Sequence, residues 1–128
     1  MSQAGLISNT PGKGSITGTA TTIGAVNANV ITLPLGATPG TYTFDIFIAA
    51  FEGTTPVGAG YAIVASVRTT GAAAVLIPNQ AIDEMEEAAL IPADAQMTVA
   101  GNNAIIQVTG VAALTIHWTA VADYIFVS

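Results

Sequence analysis

Along most of this chain apolar positions recur at every second residue, between clusters of glycine, proline and asparagine. That period belongs to strands, because successive side chains of a strand point to opposite sides of the sheet. The clearest run is "TYTFDIFIAAF" at 41–51. Tyr42, Phe44, Ile46 and Ile48 fall on one of its faces, and Thr43, Asp45, Phe47 and Phe51 on the other. "EGTTPVGAG" then turns the chain into "YAIVASVRTT" at 61–70, the expected hairpin partner.

The same pattern predicts further strands on both sides of this pair. "SITGTATTIGAV" at 15–26 reads as a Thr-rich strand weakened or bulged at Gly18 and Gly24, and "NVITL" at 29–33 as another. Residues 34–40 are a turn-rich loop, and "AAAVLI" at 72–77 is a short strand. "MTVA" and "AIIQV" flank Gly101-Asn102-Asn103, residue types that tolerate positive φ and suit a tight hairpin. A long terminal strand at 114–127 sets Ile116, Trp118, Ala120, Ala122, Tyr124 and Phe126 on one face. The exception is "NQAIDEMEEAALIPADA" at 79–95, where residues 82–90 read as a short helix or an irregular loop.

Seven to nine strands with short connections and no alternating helices predict an all-β fold, an antiparallel β-sandwich of jelly-roll-like type. No linker divides the chain. Residues 1–13 are the expected N-terminal arm, since "SNTPGKG" is dense in turn formers, and 14–128 form a single β-sandwich domain.

Composition sharpens this picture. Soluble domains carry about 25% charged residues; here the share is 8%, with a mean hydropathy of +0.64. A surface so poor in charge implies that part of it is covered by other protein, because monomers keep contiguous apolar patches small. The net charge is −6, and Lys13 and Arg68 are the only fixed cations. Nucleic-acid binding needs many Lys and Arg against phosphates, so it is excluded as an expectation. There is no cysteine, hence no disulfide or thiolate metal site. The first residues have no basic n-region or apolar h-region, so no signal peptide is expected. The long uncharged runs are broken by Gly, Asn and Thr and predict no membrane span.

Candidate chemistry is thin. His117 is the only histidine; Asp123 shares its face but lies six residues on, roughly 20 Å along a strand. The imidazole therefore reads as solvent-facing or as part of a subunit contact. Five of the eight acids, Asp83, Glu84, Glu86, Glu87 and Asp94, sit in one stretch. They read as a solvated acidic surface; a weak calcium site is the functional alternative, although the EF-hand order is missing. "GKGSITGTA" lacks the Gly-Lys-Ser/Thr order of a phosphate loop. Asp45 and Arg68 are expected opposite or diagonal to each other as a cross-strand ion pair. Trp118 reads as a core or interface anchor. No catalytic, cofactor-binding or metal-ligating residue is assigned, no cofactor is expected, and an enzyme is not.

"LGATPGTYTFDIFIAAF", "GAGYAIVASVRTTGAAAVLI" and "VTGVAALTIHWTAVADYIFVS" alternate Gly, Ala and Thr with apolar residues and almost no charge. In this texture, over most of residues 14–128, the chain resembles the head decoration (capsid cement) proteins of tailed bacteriophages. The resemblance implies a virion structural protein on the capsid exterior, assembled in the host cytoplasm. It also implies a homo-oligomer, with a trimer favoured, and the major capsid protein as partner. The alternative expectation is a phage fibre, spike or tail-tip domain that binds a host surface receptor.

Overall fold

A computed structural model describes residues 12–128. Nine strands follow in chain order: β1 Gly12–Ile23, β2 Asn27–Pro34, β3 Gly40–Glu52, β4 Val57–Thr69, β5 Ala74–Leu76, β6 Ala81–Glu86, β7 Asp94–Ala100, β8 Asn103–Thr109 and β9 Thr115–Val127. They form two antiparallel sheets. The larger runs β1-β9-β3-β4-β5, with β6 also on β4, and the smaller runs β2-β8-β7. The protein is thus an all-β antiparallel sandwich. No helix among the described residues is long and apolar enough to cross a membrane.

The β3–β4 hairpin organises the large sheet. Its loop is closed by Glu52, whose carboxylate accepts the Thr54 and Thr55 backbone N–H groups at 3.1 and 2.9 Å and the Thr55 hydroxyl at 2.7 Å. These charge-assisted bonds replace the ladder that the loop lacks. They hold the Glu52 carboxyl down at about 2, with the Thr55 bonds as the largest cause. Gly101 at φ +58 opens the β7–β8 turn in the left-handed region that favours glycine.

Between the sheets lie Phe44, Ile46 and Ile48 from β3, Tyr61, Ile63 and Val67 from β4, and Ile116 and Trp118 from β9. The small sheet answers with Met97, Ile106 and Val108. Each such side chain contributes about 1.5–3 kcal/mol on removal from water. The Trp118 indole N–H donates to the buried Thr22 hydroxyl at 2.9 Å, so the one polar atom of the largest core residue is satisfied.

Three expectations are corrected. The helix or loop at 82–90 is strand β6 followed by a 3-10 turn at Ala88–Leu90. Pairing with β4 along Ala59–Val64 outweighs the helical spacing of Ile82, Met85 and Leu90. β1 is not bulged at Gly18: its register with β9 is unbroken from Gly12 to Ile23. Gly18 instead lets the backbone approach β2, where a Cβ would run into the Val30 carbonyl oxygen. The Asp45–Arg68 pair does not form. Asp45 lies opposite Val64, and Arg68 opposite Thr41. The four residues from Val64 to Arg68 span about 13 Å of strand. The hairpin turns around residues 53–56, earlier than the ion pair requires. Of the expected arm at 1–13, Gly12 and Lys13 pair with Phe126 and Ile125 at the start of β1, and 1–11 lie outside the described residues.

Candidate interaction face

The large sheet has a second face, turned away from the core. Alternation along β3 sends Phe44, Ile46 and Ile48 inward and Asp45, Phe47 and Phe51 outward. The strand register carries the same parity across the sheet. Phe47 and Phe51 are joined on the outside by Val64 of β4, Met85 of β6, and Ile125 and Val127 of β9. Ile23 and Val75 extend the set to the margins. These eight are 46% to 73% exposed, and among the described residues only eleven large apolar side chains are exposed at all. Exposed apolar surface is therefore concentrated on one side of one sheet.

Charge is collected there too. Asp45 and Asp123 are direct cross-strand neighbours on β3 and β9, which places their Cβ atoms about 4.5–5.5 Å apart. Like charges so placed repel each other. Ser15 on β1 and Val64 on β4 continue the row on either side. Lys13 stands diagonal to Asp123, about 7–8 Å away by strand geometry, and Arg68 faces outward between Thr41 and Val75. Lys13 thus stands beside the aspartate pair, and Arg68 shares the face about 13 Å further along the strands. Lys13, Thr43, Asp45, Val64, Asp123 and Ile125 border an open trough of about 720 Å³.

His117 is on this face as well, exposed, with Nδ1 3.2 Å from the Thr21 hydroxyl and Phe51 as its β3 neighbour. Asp123 is three rows away along the same strand. Trp118, next to His117 in sequence, points the other way and is 1% exposed, a core anchor.

The acidic stretch is split by the pleat of β6. Asp83 pairs opposite Ala62 and faces outward with Met85. Glu86 points inward and accepts the Tyr61 hydroxyl at 2.6 Å, and Glu87 accepts the Gly58 N–H at 2.9 Å. Burial foremost, and then the hydrogen bond to Glu86, drive the Tyr61 phenol far above its ordinary value. Desolvation, followed by the Glu86 and Asp94 carboxylates, holds the Glu84 carboxyl above the usual carboxylate range. Among the described residues, no group of three or more His, Asp or Glu is placed to hold a metal ion.

The Asp45–Asp123 juxtaposition has no counterpart in the sequence reading. Its only trace there was that both residues stand as acids on otherwise apolar or Thr-rich alternating faces. The pairing of β3 with β9, 78 residues apart at these two positions, is what joins them.

No family model matches the chain, and no curated protein matches it. Two solved structures align with it. One is the tailspike protein of Acinetobacter baumannii phage AM24, with 9% identity, 87% of this chain and 26% of that one covered, and a TM-score of 0.46. The other is the tailspike protein of Acinetobacter phage vB_ApiP_P1, with 14% identity, 95% and 22% covered, and a TM-score of 0.40. The chain spans about a quarter of the length of each.

Proposed function

We propose that the chain is a non-enzymatic structural module of a bacteriophage virion, which works by packing the outer face of its large sheet against neighbouring protein. The observation that carries this reading is the gathering of eight exposed large apolar side chains on that one face. Exposed apolar surface of that extent marks an interaction site. The low charge of the whole chain supports it, as does the texture shared with head decoration proteins. In that setting the partners are further copies and the major capsid protein, and nucleic acid and membrane are not among them.

A second setting is favoured by a separate observation. Phe47 and Phe51, half exposed, share the outer face with an open trough bordered by Lys13, Asp45 and Asp123. Exposed aromatic rings on the same face as a polar-edged trough are what a fibre, spike or tail-tip domain needs to bind a host surface receptor.

Immunogold labelling of phage particles that carry this chain tests the proposal. Label on heads supports decoration, label on tails supports the receptor-binding setting, and unlabelled particles overturn both. A Phe47→Ser, Phe51→Ser protein should fail to enter particles while the wild type enters at stoichiometric copy number.

A further inference from the structure

We propose that the outer face of the large sheet closes against the same face of a second copy of this chain across a two-fold axis. Asp45 and Asp123 of each copy are then set toward Lys13 and Arg68 of the other. This rests on the reading that the face is a protein interface, and it names the occupant.

Area is the first support. Phe side chains present roughly 150–250 Å² and the Val, Ile and Met side chains somewhat less, so the eight at about half exposure offer on the order of 600 Å² of apolar surface. A stable pair of proteins needs about 800 Å² from each partner, and the Thr and Ser hydroxyls of β1 border the patch to make up the rest.

Charge is the second support, and it selects a copy over a foreign partner. Asp45 and Asp123 face each other across β3 and β9 with like charge, Asp83 of β6 adds a third carboxylate to the face, and both cations of the chain stand on that face too, Lys13 on β1 and Arg68 on β4. A surface bearing both signs, each offset from the other, is complementary to itself when rotated by a half turn. Isologous interfaces have this property: residue i meets j and j meets i. Cross-copy pairing would relieve the repulsion within each sheet and give register to an otherwise apolar contact.

Symmetry is the third. A trimer would require two different complementary surfaces on each copy. Among the described residues, the remaining exposed large apolar side chains, Val26, Ile77 and Ile91, lie outside the set on the outer face. One self-complementary face closes with two copies.

The test uses light scattering after size exclusion on the whole chain at micromolar concentration. The wild type should be a dimer; a monomer or a trimer overturns the inference. Two variants then probe register: Asp45→Lys with Asp123→Lys, which makes the face cationic, and Lys13→Glu with Arg68→Glu, which makes it anionic. Each alone should dimerise at least about tenfold more weakly, and an equimolar mixture should recover a dimer containing one of each. Circular dichroism verifies the fold of both, and the wild-type mass remains decisive if either fails to fold. A mixture in which the two variants stay apart overturns the inference. A monomeric wild type that still enters particles, and loses entry with Phe47→Ser and Phe51→Ser, would sink the two-fold contact while leaving the proposed function intact.

Discussion

The two faces of the large sheet are made by the same strands, alternate residue by alternate residue, and they differ in what covers them. On β3 the inward Phe44, Ile46 and Ile48 are at most 3% exposed, whereas the outward Phe47 and Phe51 are 52% and 51% exposed. Both sets are apolar, and both suit a pleated strand. The inner face has a second sheet against it, while the outer face carries three aspartates, both cations and the only histidine among its apolar side chains. A core excludes such charges unless they are paired. Their presence thus marks the outer face as a surface that water reaches.

The contrast can be tested from its strongest effect to its weakest. Trp118→Ala empties the centre of the inner face and leaves the Thr22 hydroxyl without its donor. It should cost about 3–5 kcal/mol, read as a fall in the urea midpoint with an unchanged slope. If the loss is under about 1 kcal/mol, the inner face is not the core.

Glu52, the last inward residue of β3, provides the next test. Its folded carboxyl titrates at about 2, below the ordinary value of 4.5. The charged form is favoured by folding, so its contribution is complete above pH 4.5 and disappears as pH falls toward 2. Glu52→Gln should lower stability at neutral pH and flatten the fall between those limits, as followed by urea midpoints across pH. Parallel acid limbs for wild type and variant would exclude the carboxylate as the loop's clasp.

The smallest effect is expected outside. Phe47→Ser should change the stability of the isolated chain by no more than about 0.5 kcal/mol, measured at a dilution where no association occurs. A loss comparable to that of Trp118→Ala would mean that Phe47 is buried within a single chain.

Much of the fold was legible in the sequence, because period-two alternation is a local property of the pleat. The inward set Tyr42, Phe44, Ile46 and Ile48 and the terminal set from Ile116 to Phe126 were both readable before any tertiary contact was known. So was the Gly101 turn. The region 79–95 was not. Ile82, Met85, Ala89 and Leu90 carry a helical spacing, and only the unfilled edge of β4 decided for a strand over Ala81–Glu86. The site was less legible still. A two-residue difference in where the β3–β4 turn is centred moved Arg68 out of reach of Asp45, and Asp123 from the far end of the chain took the place beside it.

By itself, the sequence determined that this is a β-protein, which side chains share a face, and that charged side chains are scarce, at 8% of residues. The tertiary structure alone decided that β9 inserts between β1 and β3, which of two apolar faces is roofed by the small sheet, and which charges meet on the other. The division follows from range. Side-chain parity repeats every two residues along the backbone, whereas strand order and coverage arise from contacts between segments tens of residues apart, whose closure depends on the whole chain.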